Sequence, residues 1–298
     1  MSEPRFGRVL TAMVTPFDLD GTLDLSVASQ LAKFLVSEGS DGLVVGGSTG
    51  EGSSLSDEEK LDLFACVAEA VTVPVLAGST FANTQASVAL TTQVKSTGVA
   101  GVLATTPAYA RPNQAGIAGH LGAIAESTPL DVMLYDVPGR TGRKIASATT
   151  IDLVRSHKNI IAIKDASGDT VSAAHTKSVL GEGFDLYSGD DSMLLPFMGI
   201  GAVGIVSVAA HWAGPEVAGI VHAAVRGDWV EAQRLNEVAQ RSFAFENTEA
   251  YPNPMPSKAA LRVLGIRVGE CRLPHGPSDS ELDAAAAEIV ASLKTARA

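Results

Sequence analysis

Eight short apolar runs recur along the chain, at 9–14, 42–45, 74–77, 101–105, 132–135, 160–164, 184–187 and 203–208, roughly 25–30 residues apart. Each is rich in Val, Ile, Leu and Ala without a strict polar alternation. That pattern reads as strands buried on both faces, the condition of a parallel sheet. Helical signals fill the gaps. Ser56 followed by Glu59 forms a capping box ahead of the amphipathic run 61–70, and 24–37 and 84–95 carry apolar residues three and four apart. Eight β–α units predict an α/β chain closed into a (β/α)₈ TIM barrel. After the eighth run only helices are expected, near 214–226, 228–247, 255–264 and 279–294. The reading therefore divides the chain into a barrel at 1–226 and a C-terminal helical region at 227–298, with Trp229 and Phe243 available to pack back onto the barrel.

Length and charge narrow the function. A chain of 298 residues is ordinary for one such barrel, and 46 % hydrophobic with 18 % charged residues describes a folded globular protein. The net charge of −11 argues against nucleic acid or an anionic membrane as partner, since both need a basic face. Cys66 and Cys271 stand alone in helical-looking contexts, and six histidines are scattered without ligand spacing, so neither a disulfide framework nor a metal site is expected. No apolar run reaches membrane length and the N-terminus is unlike a signal peptide, which predicts a cytoplasmic enzyme.

Barrel active sites collect where strands end, and the unusual polar residues of this sequence fall there. The second run enters GGSTGEG at 46–52, the fourth is followed by Thr106 to Tyr109, the fifth ends in YDVPGRTG at 135–142, the sixth in Lys164 and Asp165, the seventh in YSGDD at 187–191 and the eighth contains Ser207. Strand alternation places Ile160, Ala162 and Lys164 on one face. An amine held inside an apolar barrel is poorly solvated as a cation and is freed to attack a ketone; the plainer alternative is a buried lysine neutralised by Asp165, Asp190 or another carboxylate. The glycine-rich loop lacks the Lys-Ser/Thr of a phosphate loop. It is either a plain strand-to-helix turn or a nest in which the amides of Ser48 and Thr49 hold a carboxylate. Tyr109 and Tyr135 serve either as half-buried packing or, with Ser48, as a proton relay. Arg140 is either a surface residue or a clamp on a second carboxylate.

Taken together these residues resemble the dihydrodipicolinate synthase / N-acetylneuraminate lyase family of class I aldolases. The resemblance runs from LTAMVTPF at 10–17 to RLP at 272–274 and rests jointly on GSTGE at 47–51, YDVPGRTG, IKDASGD at 163–169 and YSGDD. It implies that Lys164 forms a Schiff base with pyruvate and that Tyr135 moves protons at it. It implies that the Ser48 and Thr49 amides hold the pyruvate carboxylate, and that the Ser48 hydroxyl bridges Tyr135 to Tyr109. Tyr109 matches a tyrosine contributed across a dimer interface, and Val206 a residue whose carbonyl lies near the bound keto acid. GGSTGE is closer to the lyase branch. Arg140 favours the synthase branch, where it matches the arginine on the carboxylate of L-aspartate 4-semialdehyde. The implied activity is condensation of pyruvate with that aldehyde to 4-hydroxy-tetrahydrodipicolinate, in lysine and diaminopimelate biosynthesis, by a homodimer or homotetramer, with no cofactor beyond the imine on Lys164. Cleavage of N-acetylneuraminate or 2-keto-3-deoxygluconate is the alternative, and a catalytically silent sensor barrel a more distant one. Where lysine-sensitive members hold their effector this chain has Gly52, Ser53, Asp57, Lys60, Ala82, Ala86 and Ala108, which implies insensitivity to L-lysine, with Lys60 placing a like charge in the pocket.

Overall fold

A computed structural model of the chain describes residues 3–80 and 82–297. Eight parallel strands alternate with helices in the order β1 (Val9–Ala12), α1 (Leu25–Ser37), β2 (Gly42–Val45), α2 (Asp57–Ala70), β3 (Val75–Gly78), α3 (Thr84–Val94), β4 (Gly101–Thr105), α4 (Gln114–Glu126) and β5 (Asp131–Asp136). The short α5 (Pro138–Thr141) precedes α6 (Ser147–Ser156), β6 (Ile160–Asp165), α7 (Thr170–Leu180), β7 (Asp185–Ser188), α8 (Leu194–Gly199) and β8 (Gly204–Ser207). Helices α9 (Ala210–Val225), α10 (Trp229–Phe245), α11 (Met255–Val263) and α12 (Ser280–Arg297) follow. Each strand pairs with its sequence neighbours and β8 returns to β1, so the sheet is closed.

All eight predicted strands form, with ends displaced by one or two residues. The first run is shortened because Met13 N still donates to Val44 O, whereas Val14 N turns aside to His211 Nε2. Within the ladder, residues alternate between two apolar layers. Leu10, Val44, Leu76, Leu103, Met133, Ala162 and Val206 fill the barrel, while Val9, Leu43, Val75, Val102, Leu134, Ile163 and Ile205 pack under the helices. Neither face of the sheet meets water, which explains the near-continuous apolar runs.

The expectation that Ile160 shares a face with Ala162 and Lys164 is not met. Val132 pairs with Ile160 but Met133 pairs with Ala162, a register shift that inserts one residue into β6. Ile160 accordingly packs in the outer layer, and Ile161 against the inner one. A bulge changes the phase of alternation without leaving a polar mark in the sequence.

The capping box at the start of α2 is present: Ser56 Oγ accepts from Glu59 N at 3.1 Å and Glu59 Oε2 from Ser56 N at 2.9 Å. Lys60, one turn on, is 1 % exposed, with burial pushing its pKa down to about 8. Its charge is therefore not presented at the surface as the sequence suggested. Cys66 lies in α2 as expected. Cys271 lies in the irregular segment between α11 and α12 rather than in a helix, and both are free thiols.

Helix α9 begins four residues earlier than the periodicity predicts, because Pro215 follows a kink at Ala213 (φ −115°, ψ 29°) rather than a fresh start. The C-terminal helices pack on the barrel. Arg297 forks onto Glu216 of α9 with two contacts of 2.7 Å, and Arg272 bonds Glu59 of α2, with Arg272 Nη1 2.9 Å from Glu59 Oε2. Trp229 stays 40 % exposed at the start of α10, whereas Phe243 is buried in the main core.

Candidate active site

The loop after β2 is forced by glycine. Gly46 has φ +68°, and a Cβ on Gly52 would stand 2.0 Å from Gly46 O, so only glycine lets the loop fold back on itself. Gly52 N donates to Gly47 O and Glu51 N to Ser48 O, closing the turn. The amides of Ser48 and Thr49 donate to no group among the described residues. Glu51 takes a left-handed conformation (φ 52°), and its buried carboxylate is held by Lys258 Nζ at 2.7 Å and by Arg272 N at 2.8 Å. Strain at a non-glycine residue persists only where its surroundings over-determine it. Here the surroundings are the C-terminal helical region.

Lys164 and Tyr135 come from adjacent strands at matching register, and alternation turns both into the barrel. Lys164 Nζ lies 4.2 Å from the centre of the Tyr135 ring. Lys164 is 4 % exposed and makes no ion pair among the described residues. The two carboxylates named as neutralisers from the sequence are engaged elsewhere, which leaves only another carboxylate for that role: Asp165 Oδ1 accepts from Ser167 N, and Asp190 Oδ1 from Ser192 N and Oγ. An amine buried beside an aromatic face, with no counter-ion in contact, is suited to nucleophilic attack on a carbonyl.

Both residues open onto a cavity of about 410 Å³ that is also lined by Ser48, Thr49 and Arg140. Five of the seven residues singled out from the sequence are thus brought together. Arg140 sits in α5, where Pro138 starts a single turn and Gly142 ends it in the left-handed region; its Nη2 donates to Asn253 O at 3.4 Å. The other two are not brought in. Tyr109 is 97 % exposed with φ 67° and does not line the cavity of its own chain. Val206 is fully buried inside the barrel, and Val208, two residues on, lines the cavity instead.

Three cavity or support residues escaped the sequence reading. Asn253 donates from Nδ2 to Thr49 Oγ1 at 2.8 Å. Its only sequence signal is the proline-punctuated stretch YPNPMP at 251–256, which marks a stiff connection. Lys258, on α11, is fully shielded and looked like one polar residue of an ordinary helix. Glu246, which caps α10, lines the cavity and lies against Asp191. Burial and the neighbouring Asp191 carboxylate raise the Glu246 pKa well above the ordinary range. Burial also raises that of Asp191, although Ser207 Oγ, Val208 N and Ala209 N all donate to it.

The whole arrangement offers a nucleophilic amine, a phenol against it, two unused amides and one guanidinium around a single cavity. Such a set can hold two carboxylates while an imine forms between them.

Comparison with known proteins gives a consistent likeness. Residues 5–293 match the model of the Dihydrodipicolinate synthetase family. The 4-hydroxy-tetrahydrodipicolinate synthase of Parasynechococcus marenigrum is 42 % identical over 297 residues, covering 99 % of this chain and 97 % of that protein. The crystal structure of a dihydrodipicolinate synthase from Bacillus anthracis superposes with a TM-score of 0.92 at 40 % identity, covering 96 % of this chain and 98 % of that one. The synthase of Cyanidioschyzon merolae, solved with lysine bound, superposes with a TM-score of 0.93 at 38 % identity over 97 % of this chain and 98 % of its own.

Proposed function

The chain belongs to the dihydrodipicolinate synthetase family, and from that premise we propose that its cavity joins pyruvate to an aldehyde through an imine on Lys164. The chain is a class I aldolase-type lyase that condenses pyruvate with L-aspartate 4-semialdehyde to 4-hydroxy-tetrahydrodipicolinate. The observation that carries the site assignment is the Lys164 amine, buried with no ion pair among the described residues in the cavity shared with Thr49 and Arg140.

In this reading the pyruvate carboxylate rests on the free amides of Ser48 and Thr49. Lys164 Nζ adds to the ketone, and loss of water gives the imine. Tyr135, against that nitrogen, takes up and returns the protons of addition and dehydration. Removal of a methyl proton gives the enamine, whose carbon forms the new bond to the aldehyde carbonyl. Arg140 holds the carboxylate of the aldehyde substrate meanwhile. The amine of that substrate then attacks the imine carbon and expels Lys164 as free amine, so one water leaves overall and no electrons are exchanged. The reaction as written needs no cofactor.

Tyr109 faces away from its own cavity, and we assign it to the cavity of a second copy in a homodimer or homotetramer, where its hydroxyl joins that of Ser48 in the relay. We place the Val206 carbonyl behind the keto acid and the enzyme in the cytoplasm, where two free cysteines and a strongly acidic surface are ordinary. No helix among the described residues is long and apolar enough to cross a membrane.

A coupled assay offering pyruvate with L-aspartate 4-semialdehyde, and separately N-acetylneuraminate and 2-keto-3-deoxygluconate for cleavage, tests the substrate. Turnover of the semialdehyde at least about a hundredfold above the others in kcat/KM is expected. Preference for either sugar acid overturns the reading.

A further inference from the structure

Asn253 makes three contacts, two of which reach the proposed carboxylate-binding residues Thr49 and Arg140. Its side-chain Nδ2 donates to Thr49 Oγ1 at 2.8 Å, its carbonyl accepts from Arg140 Nη2 at 3.4 Å, and its own N–H donates to Asn247 Oδ1 at 3.0 Å. The residue is 6 % exposed, Thr49 is 4 % exposed, and both line the cavity. Asn253 Oδ1 is buried and has no hydrogen-bond partner among the described residues. The segment is held from outside, since Lys258, five residues on, is tied to Glu51 of the same substrate loop.

The direction of the Asn253–Thr49 bond has a chemical consequence. A hydroxyl has one proton and two lone pairs, and an amide N–H can only donate. Accepting from Asn253 occupies a lone pair of Thr49 and leaves its proton free, and no other group among the described residues takes that proton. A threonine so oriented is a donor toward the cavity. A carboxylate held on the loop amides would then gain a third, side-chain hydrogen bond.

We infer that Asn253 is a positioning residue which turns the Thr49 hydroxyl into a donor for the keto-acid carboxylate. The inference rests on the reading that pyruvate's carboxylate occupies the Ser48–Thr49 loop. It assigns to the C-terminal region a part in first-substrate binding that the barrel alone does not supply. Asparagine is required for this, because an aspartate of the same shape reverses the bond. Its carboxylate would accept the Thr49 proton and place a negative charge beside the bound carboxylate.

The test measures pyruvate half-saturation of imine formation, by borohydride trapping on Lys164, alongside kcat and the KM of the aldehyde. Asn253→Ala should raise pyruvate half-saturation about tenfold, and Asn253→Asp about a hundredfold or more, while kcat and the aldehyde KM stay within about threefold. Thr49→Val should raise pyruvate half-saturation by about the same factor as Asn253→Ala, and the double variant Thr49→Val/Asn253→Ala should raise it no further than about tenfold, because both remove one interaction. The alanine and valine variants carry the test if Asn253→Asp does not fold. Unchanged pyruvate binding in Asn253→Asp, with Lys164 still trapped, overturns the inference alone. So does a parallel fall of all three parameters in Asn253→Ala, which would mean a packing role. Absence of any trapped pyruvate on Lys164 in the unaltered enzyme overturns the underlying reading and the inference with it.

Discussion

Lys258 Nζ stands 2.7 Å from Glu51 Oε1, and both side chains are completely shielded from solvent. That oxygen accepts no hydrogen bond among the described residues, while the ammonium donates to Glu270 O at 2.9 Å and lies 4.2 Å from the Phe17 ring centre. Burial pushes the Lys258 pKa down, and Glu51 opposes it. Removing one partner strands a charge where water cannot reach. Lys258→Met should therefore cost about 3–5 kcal/mol of stability, and Glu51→Gln/Lys258→Met should recover part of it. Denaturant unfolding monitored by circular dichroism reads both. A double variant no more stable than the single would show that the pair does not act as a unit.

Lys164 carries the covalent step in the proposed mechanism. Pyruvate with borohydride should add one reduced pyruvate to the peptide containing Lys164, located by mass spectrometry. Lys164→Ala should show no adduct and no turnover. A stable adduct at another lysine in active enzyme would refute the assignment.

In the proposed mechanism Arg140 separates the two substrates. Arg140→Ala should lower kcat/KM for the aldehyde by roughly 30- to 1000-fold while pyruvate trapping persists, since the lost contact is a charge-assisted clamp on the second carboxylate. Equal loss of pyruvate trapping would mean that Arg140 serves the first substrate or the fold.

His211 supplies a pH signature. Its ring is fully buried, Nδ1 donates to Val208 O at 2.7 Å, and Nε2 accepts from Val14 N at 3.1 Å. That geometry demands the neutral ring, and burial pushes the pKa down to about 4 from 6.5. The folded value lies below the unfolded one, so on acidification the unfolded chain takes up a proton first. The stability that this histidine supplies is whole above pH about 6.5 and declines toward pH about 4. The stability advantage of the unaltered protein over His211→Gln should shrink by about 1 kcal/mol between pH about 7.5 and about 5.5. A difference independent of pH would show that His211 titrates normally.

L-Lysine should inhibit weakly. The family resemblance implies that the effector positions of lysine-sensitive members fall at Gly52, Ser53, Asp57, Lys60, Ala82, Ala86 and Ala108, and three of the seven are alanine. Buried Lys60 contributes no surface charge there, so the expectation rests on the missing polar contacts. Losing two of them should weaken binding by at least about a hundredfold. Initial rates at saturating pyruvate and limiting aldehyde decide the matter, and half-inhibition below about a millimolar would contradict it.

The strand count, the closed α/β barrel and the gathering of polar residues at the strand ends were legible in the sequence, because a strand buried on both faces leaves a continuous apolar run and a polar residue at its end stands out. Lys164, Tyr135, Thr49, Ser48 and Arg140 were found by that contrast. Local periodicity carries no record of a one-residue bulge, so the face of Ile160 was misassigned until β5 set the register of β6. Nor does it record partners far along the chain. Asn253 is 204 residues from Thr49, and Lys258 is farther still from Glu51. Each reads locally as an ordinary polar residue near or on a helix. Only closure of the barrel, with the C-terminal helices packed against it, excludes water around these groups and makes each depend on one specific counterpart. The outward direction of Tyr109 is likewise set by the left-handed backbone after β4, not by its residue type.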